Sequence, residues 1–137
     1  MSKAEPAAAD TPGNPPMLVA LAAIVFAEAI ALVAGLIVLI ATFDPRINAA
    51  SGLALIVTTA VLAFLVGLIG FGLTRRWRRI RGAVIVWQVL QAACGLIAMQ
   101  GLLGPWWVGL VLIVPAAFGI WLAMSRSVAE TLLPDEA

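Results

Sequence analysis

The chain has no histidine and no tyrosine, and a single cysteine among its 137 residues. Losing imidazole removes the side chain that titrates nearest neutrality and the commonest metal ligand, and losing phenol removes tyrosine acid–base chemistry. Cys94 alone cannot form an intramolecular disulfide or a cysteine metal cluster, and its position inside an apolar segment reads as a small buried helix residue. Charge is scarce as well: 11% of the residues are charged and 64% hydrophobic, with a mean hydropathy of +1.12. That balance lies outside the range of soluble domains and points to a polytopic membrane protein whose first partner is the lipid bilayer. A net charge of +1 with no acidic or basic tail gives no surface for nucleic acid.

Phosphate-cradling glycine loops are also missing, because the glycines lie within apolar stretches and no GxxxxGK[ST] or GxGxxG pattern occurs. There is no HExxH motif, no carboxylate pair near a membrane face and no serine nucleophile with a base. The chain therefore reads as non-enzymatic, with no cofactor and no metal site.

The charge that is present is concentrated. Five of the eight Lys and Arg residues fall in one run, Arg75-Arg76-Trp77-Arg78-Arg79-Ile80-Arg81, between two apolar stretches. Cytoplasmic loops carry the excess of basic residues, since these are hard to translocate and are held by anionic lipid. Arg75, Arg76, Arg78, Arg79 and Arg81 are thus expected to fix topology at an anionic lipid surface. With that run inside, Lys3 and Arg126 are also cytoplasmic and only Arg46 is outside. The expectation is a multi-pass protein of a bacterial plasma membrane with both termini cytoplasmic.

Crossing a hydrocarbon core of about 30 Å takes about 20 residues at ~1.5 Å each. Four segments qualify within a membrane domain spanning residues 17–124: 17–42, 52–73, 82–101 and 105–124. Residues 1–16, rich in Ala and Pro, read as a flexible cytoplasmic tail, and the long first segment, which lacks a basic n-region, as a retained span. Residues 125–137 read as a second cytoplasmic tail. Asp44-Pro45 marks a turn, Ser51 is available to cap span two, and Pro105 suits a helix start. Short connections make successive spans antiparallel neighbours, so the expected fold is all-α, an antiparallel four-helix transmembrane bundle. Trp106, Trp107, Trp77 and Trp121 fall at interfacial depths, and only Trp87 lies well inside a span.

In lipid, helices associate through close backbone approach and interhelical polar contacts, so small residues should mark the packed faces. Candidate stripes are Ala27, Ala31 and Gly35 in span one; Thr59, Ala63, Gly67 and Gly70 in span two; and Gly109, Ala116, Gly119 and Ala123 in span four, with Trp121 turned to lipid. In span three, Gln88, Gln91, Ala92, Gly95 and Met99 share a face that should turn inward. Pro115 deprives a carbonyl one turn earlier of its donor and should bend span four.

Glu28 is the one ionisable group inside a span. It lies roughly 16 Å from the start of its helix, where an ionised carboxylate costs on the order of 3 kcal/mol on insertion scales. Counted by the same rise, Gln91 and Thr59 reach a similar depth, so Glu28, Thr59, Gln88 and Gln91 form the candidate site. Two roles are open: a coupling site that loads a proton or cation, or a hydrogen-bonded pin that fixes helix register, in this bundle or against an unseen partner helix in a homo-oligomer or larger assembly.

The segment Leu21-Ala22-Ala23-Ile24-Val25-Phe26-Ala27-Glu28-Ala29-Ile30 resembles the first helix of the small multidrug resistance transporters. That resemblance implies proton and cationic-drug binding at Glu28, and Trp87 in span three is similar in placement, although the family's third-helix glycine-tyrosine-tryptophan pattern has no counterpart. Over most of its length, through Ala83-Val84-Ile85-Val86-Trp87-Gln88-Val89-Leu90-Gln91 and Trp106-Trp107-Val108-Gly109, the chain looks like uncharacterised small four-span integral membrane proteins of high-GC actinobacteria. This second resemblance implies fold and location only.

Overall fold

The computed structural model describes residues 15–102 and 105–132, apart from the side chain of Asn48; the expected tail at residues 1–16 falls almost wholly outside the described residues, as do residues 133–137. Five helices follow in order: α1 (Pro16–Ala41), α2 (Pro45–Thr74), α3 (Ile80–Met99), α4 (Trp106–Met124) and α5 (Arg126–Leu132), with no strand among the described residues. α1, the Ala49–Thr74 part of α2, α3 and α4 are each long and apolar enough to cross a membrane.

The helix ends follow from local chemistry. Pro16 and Pro45 occupy first-turn positions, where the missing N–H has no helical partner to lose. Asp44 caps α2 by accepting from the Arg46 amide at 2.8 Å, so α2 starts well before Ser51, which lies inside the helix and is not its cap. Pro105 sits one residue earlier than expected, at the N-cap of α4, and Pro115 is carried within a continuous helix. α2 ends in a Schellman motif: Trp77 N–H donates to the Gly72 carbonyl and Arg76 N–H to that of Leu73, with Arg76 left-handed at φ 53°. Phe71 joins this corner, its ring edge-on to Trp77 and beneath the Arg75 guanidinium, 5.2 Å from the ring centroid.

The bundle is two antiparallel hairpins. α1 packs mainly on α2 and α3 mainly on α4; α1 also meets α4, while α2 and α3 touch little. The hairpins join at the end that carries the arginine loop. There Leu18, Leu21 and Val25 of α1, Val66 and Leu73 of α2, Ile80 and Val84 of α3 and Leu122 and Ala123 of α4 form one buried cluster. α5 belongs to it. Its Val128 and Leu132, four apart and therefore on one face, are fully buried in that cluster, and Ser125 Oγ accepts from the Val128 amide at 3.4 Å at the start of the helix. The segment expected to be a plain tail thus contains a short amphipathic helix that closes the arginine end.

Toward the other end the hairpins lose contact. Ile37, Val38 and Ile40 of α1 and Leu53, Leu55 and Val57 of α2 are all exposed, leaving apolar surface that suits lipid. The small-residue stripe of α4 is packed as expected: Gly109, Ala116, Gly119 and Ala123 are buried and Trp121 is 59% exposed. α2 follows its stripe in part, with Ala63 and Gly70 buried but Thr59 and Gly67 half-buried. α1 does not follow it. Ala27, Ala31 and Gly35 are exposed, and the buried face is Leu18, Leu21, Ala22, Val25 and Ala29. On α3, Gln88, Gln91 and Gly95 turn inward as expected, whereas Met99 is exposed at the helix end.

A carboxylate clamp at the edge of a lateral groove

Glu28 and Trp87 sit on helices of different hairpins, and their side chains meet. Trp87 Nε1 donates to Glu28 Oε2 at 2.9 Å, and Gln88 Nε2 donates to the same oxygen at 3.2 Å and to Oε1 at 3.4 Å. The carboxylate of α1 is thereby tied twice to α3. Gln88 is fully buried, and its amide lies against Gly119 of α4, where an added Cβ would come within 2.6 Å of Gln88 Cδ. Absence of a side chain at position 119 leaves the space in which Gln88 reaches Glu28.

The partners expected from depth counting, Gln91 and Thr59, do not bond to Glu28. Gln91 Nε2 donates instead to the Leu112 carbonyl of α4 at 3.2 Å, and Thr59 Oγ1 donates to Leu55 of its own helix at 2.8 Å. Counting treated the inner ends of α1 and α3 as level. Glu28 lies further along α1 from Pro16 than Gln88 lies along α3 from Ile80, yet the two are hydrogen-bonded, so α1 begins further toward the arginine side and its side chains meet α3 one turn earlier, at Gln88 rather than Gln91. Trp87 was legible in a different way: a tryptophan in mid-span must find an acceptor for its N–H, and Glu28 is the one carboxylate within the spans.

The arginines separate into different environments. Arg81 Nε donates to the Ala123 carbonyl at 3.0 Å, capping the last turn of α4, where carbonyls lack helical donors and a cation is favoured. Arg75, Arg78 and Arg79 are exposed at the loop, and Arg76 is half-buried in its left-handed turn.

Beside the clamp, between the hairpins, lies a groove of about 580 Å³. Ala27, Glu28 and Ala31 of α1 form one wall, Trp87, Gln91 and Cys94 of α3 the other, and Leu62, Val111, Leu112 and Pro115 complete it. Cys94, expected to be buried, is exposed on this wall, because the hairpins have already parted at its level. The same separation explains the unpacked stripe of α1: Ala27 and Ala31 face the groove, not another helix. Among the described residues no group of three or more His, Cys, Asp or Glu is placed to hold a metal ion.

Four apolar helices around a common core define a multi-pass membrane protein with four spans. No family model matches the chain, and neither a curated protein nor a solved structure matches it.

Proposed function

We propose that the protein is a non-enzymatic accessory or interaction protein of a bacterial plasma membrane, with the arginine loop and both termini cytoplasmic. The observation that carries this reading is the use of Glu28: its carboxylate accepts from Trp87 and Gln88, so the one acid of the spans serves to hold two hairpins together. Beyond that clamp the hairpins present exposed apolar faces and the small residues Ala31 and Gly35, a surface suited to a neighbouring helix in a homo-oligomer or a larger assembly. The arginine run supports the orientation through the bias of basic residues toward cytoplasmic loops.

A second reading has an observation of its own. Glu28 is half-buried and lines the groove, which gives a proton or cationic substrate access to a carboxylate within the membrane, as a small coupled transporter would need. Substitution separates the two roles. In the clamp role, Glu28→Gln keeps an acceptor for Trp87, so thermal stability in mild detergent and association with any co-purifying partner persist, whereas Glu28→Leu loses about 1–2 kcal/mol of bundle stability. In the coupling role, Glu28→Gln abolishes proton-linked flux in proteoliposomes with the fold intact, because an amide cannot titrate. Equal flux for wild type and Glu28→Gln removes the coupling role.

A further inference from the structure

Charge at the arginine end of the bundle is one-sided. Among the described residues, Arg75, Arg76, Arg78, Arg79, Arg81 and Arg126 lie at that end with Glu130 as the one acid, since Glu28 is held in the clamp and Asp44 caps α2 at the opposite end. Arg81 is held by a carbonyl and Arg75 lies over an aromatic ring, neither of which carries a negative charge. Like charges gathered in one loop repel, so a counter-ion is favoured there.

The sequence puts further acids close by. Asp135 and Glu136 follow α5 with no basic residue after Arg126, so three of the seven acids of the chain fall within 130–136. α5 carries them to the loop. It packs on α1, α3 and α4, and its last residue, Leu132, is fully buried in the cluster that holds Leu73 and Ile80, the residues that flank the loop. Four residues of chain span at most about 14 Å, more than the diameter of a helix at about 10–12 Å, so both carboxylates have the loop within reach. The N-terminal acids suit the loop less well: Glu5 and Asp10 share their segment with Lys3, and Asp10 is further from the start of α1 than Asp135 is from the end of α5. One exposed ion pair biases an equilibrium by about fivefold at most, but two carboxylates tethered beside the arginines act together and at an effective concentration of about millimolar.

We propose that residues 133–137 dock on the arginine loop through Asp135 and Glu136, a built-in counter-ion that covers the loop until anionic lipid displaces it. Docking screens Arg75, Arg78 and Arg79 from lipid phosphates. A surface rich in anionic lipid releases the segment, because it offers more negative charge to the same guanidiniums and repels the carboxylates. This inference goes beyond the accessory role and does not rest on it, since it needs only that the loop and α5 share one end of the bundle.

Trp77, 45% exposed in the loop, reports the contact. In the full chain with Cys94→Ala, a bimane label on Ala137→Cys is quenched by an indole only at short range. In nanodiscs of phosphatidylcholine the expected result is quenching that Trp77→Phe relieves. Asp135→Asn with Glu136→Gln should lower the ratio of quenched to unquenched label about tenfold. Raising salt from about 0.15 M to about 1 M, which shortens the Debye length from about 8 Å to about 3 Å, should lower it as well, and so should replacing the lipid by phosphatidylglycerol. Glu5→Gln with Asp10→Asn should leave the quenching unchanged. Absence of quenching, or quenching that persists in Trp77→Phe, in the Asp135 and Glu136 double variant or in phosphatidylglycerol, overturns the proposal. Relief by the Glu5 and Asp10 replacements assigns the loop to the N-terminal segment and overturns it equally.

Discussion

Gly119 shows how one missing side chain sets another's position. An added methyl there would lie 2.6 Å from Gln88 Cδ and 2.8 Å from Nε2, and Gln88 is the group that would have to yield. Since that amide donates to Glu28, Gly119→Ala should weaken the clamp as well as crowd the α3–α4 interface, at a cost of about 1–3 kcal/mol. The prediction is a coupling: in a Gln88→Ala background, where the obstacle is gone, Gly119→Ala should cost clearly less. A double-mutant cycle read by thermal unfolding in detergent checks it, and strictly additive losses would place the strain elsewhere. At this scale the sequence exposed Glu28 and the two glutamines as polar groups that lipid would not accept. It did not pair them, because counting 1.5 Å per residue needs a common starting level and α1 and α3 do not share one.

Among the elements, α3 and α4 approach closely at Gly95 and Gly109. A Cβ on Gly109 would lie 2.6 Å from the Gly95 carbonyl oxygen and 2.8 Å from the Met99 nitrogen, backbone atoms that cannot move without separating the helices. Gly35 and Gly67, by contrast, have nothing within 4 Å of such a Cβ. Gly109→Ala should therefore lower bundle stability by about 1–3 kcal/mol, while Gly35→Ala should leave it unchanged or raise it slightly through helix propensity. Comparing unfolding midpoints of the two variants checks this, and similar losses in both would contradict the crossing described. All three helices carry small residues at helical spacing, so the pattern alone could not separate the face of α4 that meets a helix from the face of α1 that meets a groove. The Ser125 cap and the Val128–Leu132 pair of α5 were in the sequence too, but a seven-residue helix offers too few turns for periodicity to show.

For the whole molecule, the arginine run and the asymmetry of the core fall at the same end. Arg81 is built into the fold through the Ala123 carbonyl, Arg75 lies over the Phe71 ring, and Arg78 and Arg79 are exposed at the loop. Replacing Arg75, Arg76, Arg78, Arg79 and Arg81 together by neutral residues should give mixed orientation, read by paired cytoplasmic and periplasmic reporters fused at Ala137. In the unaltered protein only the cytoplasmic reporter should be active; a periplasmic signal there would reverse the proposed topology. Restoring Arg81 alone should recover stability at the α3–α4 end without recovering orientation, because its hydrogen bond is local and the charge bias is a property of the loop.

The sequence by itself determined the number of spans, their antiparallel order and the loop that carries the charge. Those features depend on hydrophobic length, on turn-forming residues and on basic residues, all of which act over one segment at a time. Which helix faces meet, which donors reach Glu28 and where Cys94 stands were decided by the tertiary structure. In lipid the apolar faces of a helix are nearly equivalent, so pairing rests on a few close backbone approaches and polar contacts between distant segments. The joining of the hairpins at one end and their parting toward the other created both the clamp and the groove, and neither is a property of any single helix.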